Sequence, residues 1–98
     1  MPGLRFEWDE AKDRLNRRKH RVSFREAETV FLDERALLIA DLEHSTAEDR
    51  FVLLGLSSTL RMLLVCHCYR KGSNLIRLIS ARRATRKERE QYEQRWSK

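Results

Sequence analysis

LRMLLVCHCYRKGSNLIRLISA, residues 60–81, is the stretch that decides the fold. Two short runs rich in branched apolar residues, Leu60–Tyr69 and Leu75–Ala81, flank Arg70-Lys71-Gly72-Ser73-Asn74. Gly72 and Asn74 suit a hairpin turn, so the two runs are expected to be paired strands. In the first strand, alternation places Leu63, Val65, His67 and Tyr69 on one face and Met62, Leu64, Cys66 and Cys68 on the other. The cysteines therefore keep apolar company and are expected to be buried, inert thiols.

Outward from this hairpin, Ala36–Ala40 and Phe51–Leu56 have the same short, branched, apolar character and are expected to be strands as well. Leu4–Trp8 alternates enough for a short first strand. Asp9 is placed to cap a helix running to about residue 20, with Trp8, Ala11 and Leu15 on its apolar stripe. Ser23-Phe24-Arg25-Glu26 has capping-box spacing, and Phe24, Ala27, Val30 and Phe31 follow at helical intervals, predicting a second helix over about 24–32. Thr85-Arg86-Lys87-Glu88 repeats the capping box and opens a last helix to about Arg95. The expected architecture is one α+β domain over residues 1–98. It has an antiparallel sheet of about four strands, two N-terminal helices and one C-terminal helix, with the helices on one sheet face.

The chain has 98 residues, enough for a single modest core. It carries 21 basic and 15 acidic side chains, a formal charge of +6. The excess is unevenly distributed: residues 1–49 sum to −3 and residues 50–98 to +9. Between Arg50 and Lys87 there are nine arginines and lysines and no carboxylate. A half of one sign, lining an open sheet face, points to a polyanion or an acidic protein partner. Apolar runs such as Met62–Cys66 fall far short of the roughly 20 residues of a membrane span. No signal-peptide pattern opens the chain, and Cys66-x-Cys68 lacks a second cysteine pair. Reduced thiols, a cytoplasmic location, and neither metal nor cofactor are therefore expected.

The segment Asp41-Leu42-Glu43-His44-Ser45-Thr46-Ala47-Glu48-Asp49-Arg50 packs ionisable groups densely between two expected strands. Metal-free RNA cleavage needs an acceptor for the 2′-hydroxyl proton, cations around the phosphorane and a proton for the leaving oxygen. His44 or Glu48 could accept the proton, and Arg50 could stabilise charge; an ordinary polar hairpin with surface ion pairs is the plainer alternative. His20 and Tyr92 are further candidate proton-transfer groups, each equally able to serve as a packing residue. His67 and Tyr69 are either core aromatics or a pair on which RNA bases stack. Arg82-Arg83, with Arg86, Lys87 and Arg89, runs from the last strand across the cap of the final helix, making Arg82 a candidate phosphate-facing cation. Lys12 and Lys19, beside Asn16 on the first helix, either hold phosphates at the seam between helix and sheet or snorkel around it. Arg77, within the last strand, joins Lys12, Lys19, Arg83 and Arg86 as a candidate RNA-binding cation.

The order of these residues resembles the BrnT family. The resemblance is carried by Phe6-Glu7-Trp8-Asp9, Lys12, Asn16, Lys19-His20, Val22-Ser23-Phe24, Glu26-Ala27 and Val30-Phe31. It continues through Asp41, His44-Ser45, Glu48, Arg50, Gly55 and Ser57 to Ile79-Ser80-Ala81-Arg82, Ala84, Glu88-Arg89 and Tyr92. Two positions depart from the family pattern, since Arg21 and Leu60 stand where glycine is usual. The resemblance implies a ribonuclease toxin of a type II toxin–antitoxin system, with a RelE-like fold and a BrnA-type ribbon-helix-helix antitoxin as partner. Operator DNA would then be bound only through the antitoxin complex, because nothing in the chain reads as a DNA-recognition helix. The rival readings are a noncatalytic RNA- or DNA-binding module with a basic sheet face, and an inactive toxin that survives as an antitoxin-binding protein.

Overall fold

The computed structural model describes residues 3–40, 50–70 and 74–96. Elements follow in the order β1 (Arg5–Glu7), α1 (Glu10–His20), α2 (Phe24–Glu28), a 3-10 turn (Thr29–Leu32), β2 (Leu37–Ala40), β3 (Arg50–Leu56), β4 (Met62–Tyr69), β5 (Leu75–Arg83) and α3 (Arg86–Trp96). The strands form one five-stranded sheet in the order β1-β5-β4-β3-β2. The expectation of four antiparallel strands is thus corrected. The short first strand joins the edge of the sheet, parallel to β5 with Arg5 opposite Leu75 and Glu7 opposite Arg77, while the other pairs are antiparallel.

The helices do not all lie on one face. The α1–α2 side is the main core, where Val22, Phe24, Ala27 and Val30 pack on Leu53, Leu63, Val65, Ile76, Leu78 and Ala81. Helix α3 crosses one end of the opposite face, setting Tyr92 against Leu54 and Leu64. Alternation explains the division, because Leu53/Leu54 and Leu63/Leu64 are neighbours that point to opposite sides of the pleat.

Helix α1 turns a polar side inward. Asp9 caps it by accepting from the Ala11 amide at 2.8 Å. The expected Leu15 stripe faces solvent, with Leu15 58% exposed, while Asp13 and Asn16 are buried. Asp13 Oδ1 accepts from the Phe24 amide at 2.8 Å, satisfying the first free N–H of α2. Asn16 Nδ2 donates to the carbonyls of Val22 and Ala81, both at 2.8 Å, and its Oδ1 accepts from the Ala81 amide at 3.1 Å. Strand β1 pairs with β5 only over 75–77, so the Asn16 amide supplies at Ala81 the pairing that β1 no longer reaches.

The expected second helix tightens after Glu28. Thr29 Oγ1 donates to the Glu26 carbonyl at 2.6 Å, and the chain continues as a 3-10 turn. Asp33 then gathers three elements: its carboxylate accepts from the Leu56 amide, the Arg35 amide and the Tyr92 hydroxyl. Gly55 is needed beside it, since a Cβ there would lie 2.9 Å from Ala36 Cβ and 3.0 Å from Asp33 Oδ2. Gly55→Ala should cost about 1–3 kcal/mol, read as a lower denaturant midpoint at unchanged slope.

Arg21 and Leu60 both occupy the left-handed region, at φ 61° and 66°. Arg21 ends α1 in the conformation that glycine usually takes, its N–H donating to the Arg17 carbonyl. Leu60 closes the β3–β4 loop, where its amide donates to the Ser57 carbonyl and the Ser57 amide to that of Arg61. The geometry that glycine favours is therefore retained, at a cost of about 1–2 kcal/mol per non-glycine residue. Glycine at either position should raise stability by about 0.5–1 kcal/mol net of its unfolded-state entropy, seen as a melting point several degrees higher.

Arg61 ties these two bends together. Its guanidinium bonds the Glu26 carboxylate, through Nε at 2.9 Å and also through Nη2, and Nη2 reaches the Arg21 carbonyl at 3.0 Å. Ser57 and Thr59 hydroxyls also donate to Glu26. Arg61 first, with these hydroxyls and against the effect of burial, brings the Glu26 carboxyl down to about 2 from 4.5. A depressed carboxyl stabilises the fold above its unfolded value and loses that contribution as pH falls from 4.5 towards 2. After solvent screening the contribution is about 1–2 kcal/mol. Glu26→Gln should therefore lower the urea midpoint at pH 7, and by progressively less as pH falls from 4.5 towards 2.

Candidate functional site: the open sheet face

The face opposite α1 and α2 is covered by α3 only at one end. Residues opposite each other in a ladder share a face, so the register gives its surface directly. Arg50 stands opposite Cys68, Cys68 opposite Arg77, and Arg77 opposite Glu7, a row that crosses β3, β4, β5 and β1. A second row holds Val52, Cys66 and Ser80, and a third, under α3, holds Leu54, Leu64 and Arg82.

Arg77 and Arg82 are five residues apart, so a regular strand would aim them at opposite faces. The β4–β5 register shifts between Cys66 and His67: Cys66 faces Ser80 while His67 faces Leu78, leaving Ile79 as an extra residue. This β-bulge brings Arg77 and Arg82 onto the same face and keeps Leu78 and Ala81 in the core.

The cations on this face are held differently. Glu7 Oε2 accepts from Arg70 Nε at 2.9 Å and Arg77 Nη1 at 3.0 Å, and the two guanidiniums, Arg70 foremost, hold the Glu7 carboxyl below its usual range. Arg82 makes a two-pronged pair with Glu88, each bond 3.0 Å. Glu88 completes the reciprocal capping box with Thr85, and Arg82 first, then the Thr85 amide, lowers its carboxyl. The anion beside the basic N-terminus of α3 is thus Glu88 itself. Arg50, half-buried, differs from both: its guanidinium has no hydrogen bond or ion pair among the described residues.

The other candidates are distributed over the molecule. His44 and Glu48 lie in 41–49, outside the described residues. His20, half-buried, closes α1, and Lys12 and Lys19 are exposed along that helix. Arg83 and Arg86 are exposed at the end of β5 and the start of α3, Arg86 close to Glu90 at 3.7 Å. Tyr92 is buried, and its hydroxyl donates to Asp33 Oδ2 at 2.8 Å; burial first and then the Asp33 carboxylate push it up to about 12.

His67 belongs to the core face rather than the open one. It is fully buried among Phe31, Phe51 and Tyr69. Its Nδ1 donates to the Val65 carbonyl at 3.0 Å, and burial lowers its proton affinity, which keeps the ring neutral. Tyr69 is 46% exposed at the rim of this cluster. Cys68 is buried and Cys66 half-buried, and neither forms a disulfide. Among the described residues, no group of three or more His, Cys, Asp or Glu side chains is placed to hold a metal ion. Among the described residues, no helix is long and apolar enough to cross a membrane.

Comparison with known proteins places the chain in a family. The family model for the ribonuclease toxin BrnT of type II toxin–antitoxin systems matches residues 8–88. The chain belongs to the BrnT family. In keeping with that membership, its fold matches the 1.1 Å crystal structure of the Brucella abortus ribonuclease toxin BrnT, with a TM-score of 0.64 at 25% identity. The match covers 85% of this chain and 99% of the other. No curated protein sequence matches. A BrnT-family toxin implies an antitoxin partner, and the α+β class expected from the sequence holds with a five-stranded sheet.

Reading the sequence by strict alternation could not reveal the bulge that joins Arg77 to Arg82. Glu7 was likewise missed as the anchor of Arg70 and Arg77, because 63 and 70 residues separate the partners. The only available signal was that β1 carries a carboxylate while the three strands β3, β4 and β5 carry none.

Proposed function

We propose that this BrnT-family chain is a metal-independent endoribonuclease that cleaves RNA across the open sheet face and so inhibits translation. The observation that carries the reading is Arg50, a half-buried cation at the β3 end of the row it shares with Cys68, Arg77 and Glu7, with no carboxylate partner among the described residues. His44 and Glu48, just ahead of it in the chain, supply the proton-transfer groups. One takes the proton from the 2′-hydroxyl, whose oxygen attacks phosphorus. The 5′-oxygen leaves and is protonated, giving a 2′,3′-cyclic phosphate and a 5′-hydroxyl end. Arg50 and Arg82 stabilise the charge on the equatorial oxygens. Glu88 keeps Arg82 in place at the edge of α3, and Arg77, with Arg83 and Arg86, adds backbone affinity, while Lys12 and Lys19, exposed on α1 beyond the sheet, serve RNA that continues around its edge. His20 and Tyr92 have supporting parts: Tyr92 through the packing of α3, His20 through the end of α1.

The neutralising partner is proposed to be a BrnA-type ribbon-helix-helix antitoxin that lays acidic or apolar surface over this face. Attraction to the basic half makes association fast and salt-sensitive. Operator DNA is bound through the antitoxin. Growth assays and mobility shifts test both parts. Expression of the chain alone should arrest growth and co-expression of the antitoxin restore it, while the operator is shifted by the complex and poorly by the chain alone. Tight, sequence-specific DNA binding by the isolated chain at physiological salt would instead favour a DNA-binding module.

A further inference from the structure

A cavity of about 250 Å³ opens at the far end of β5, between the β3–β4 turn and the first turns of α3. Its cations are Arg61, Arg83 and Arg89, its apolar wall includes Leu56, Met62 and Ala84, and no carboxylate lines it. Arg61 is already engaged by Glu26. Arg83 and Arg89 are exposed and form no ion pair among the described residues. With Arg61 compensated by Glu26, the Arg83 and Arg89 guanidiniums on one small cavity are left to repel one another, and an anion between them relieves that repulsion. The apolar wall adds a requirement that inorganic phosphate does not meet, since the ligand must also bring a flat or aliphatic surface.

We propose that this cavity is a second RNA subsite, holding one nucleotide away from the cleavage point. Its phosphate would lie between Arg83 and Arg89, and its base against the Leu56, Met62 and Ala84 wall or an arginine plane. The inference rests on the ribonuclease reading above and extends it along the same strand. β5 runs from Arg77 on the open face through Arg82 to Arg83 at the cavity, six residues or about 20 Å. An RNA strand lying on the open face and following β5 would therefore reach the cavity several nucleotides away.

The test compares two 2′-O-methyl oligonucleotides, which lack the attacking hydroxyl. One has about four nucleotides and covers only the sheet face; the other has about twelve and can reach the cavity. In the doubly substituted R83A/R89A chain, the preference for the long oligonucleotide over the short one should fall at least tenfold. The slope of log affinity against log salt for the long one should drop by about 1.4, or about 0.7 per lost contact. Both side chains are exposed, so an unchanged melting temperature is the control. An unchanged preference would overturn the subsite. A preserved preference with weakened antitoxin binding would overturn it in favour of an acidic protein partner. Failure of the unsubstituted chain to bind or cleave RNA would remove the ribonuclease reading itself.

Discussion

Replacing Asn16 by alanine is expected to destabilise the protein by about 3–5 kcal/mol, although the removed side chain is small and polar. The carboxamide makes three buried bonds, two donated to the carbonyls of Val22 and Ala81 and one accepted from the Ala81 amide. Its loss leaves three backbone groups without a partner where water has poor access, at about 1–3 kcal/mol each. Against a total stability of about 5–15 kcal/mol, that is a large fraction. Thermal melting should fall by at least about 12 °C. Asn16→Asp should do no better, because a carboxylate would face two carbonyl oxygens in place of donors. A melting point within about 4 °C of the parent would show that water or a neighbouring group satisfies the Ala81 edge and that Asn16 is dispensable.

Arg50→Ala is expected to lower RNA cleavage by about 10²–10³-fold while leaving the fold nearly as stable. Arg50 sits at the start of β3, half-buried, with its guanidinium free of ion pairs among the described residues, so truncation strands none of their carboxylates. Its contribution would be made where charge develops, on the phosphorane, and should appear in kcat. Arg82→Ala differs in a measurable way. It also breaks the pair with Glu88, a partly exposed interaction worth about 0.2–1 kcal/mol, so activity falls together with a slight loss at the α3 cap. Arg95→Ala, on the exposed end of α3, provides the comparison with little expected effect. If Arg50→Ala cleaves RNA at the parental rate, phosphorane charge must be stabilised elsewhere on the molecule.

Local signals in the sequence were read well where their chemistry is local. Asp9, Ser23 and Thr85 all cap helices, and the box from Thr85 to Glu88 closes in both directions. The Leu63–Val65–His67 face was separated from the Leu64–Cys66–Cys68 face by alternation alone. What alternation could not say was which face the helices cover, and that decides whether His67 is buried or available to RNA. The inner side of α1 was misread for a related reason. Hydrophobic periodicity finds Leu15, but the buried contacts of this helix are hydrogen bonds that Asp13 accepts from the Phe24 amide and Asn16 exchanges with backbone up to 65 residues away. The basic character of the second half was legible, whereas its partial neutralisation by Glu7, Glu26 and Glu88 depends on the fold. In sequence Arg50 was a candidate charge stabiliser on its place at the end of an ionisable segment. Its distinction from Arg77 and Arg82 comes from the carboxylates that reach them, Glu7 and Glu88, whereas no carboxylate among the described residues pairs with it.

The most direct measurement is cleavage of a defined RNA by the purified chain in excess chelator, with the product ends identified by mass spectrometry. The expected result is undiminished cleavage that leaves a 2′,3′-cyclic phosphate, or the 3′-phosphate it hydrolyses to, opposite a 5′-hydroxyl, with a 2′-deoxy substitution at the scissile position blocking the cut. Activity abolished by chelator and restored by a divalent cation, or products bearing 5′-phosphates, would contradict a side-chain mechanism built on Arg50.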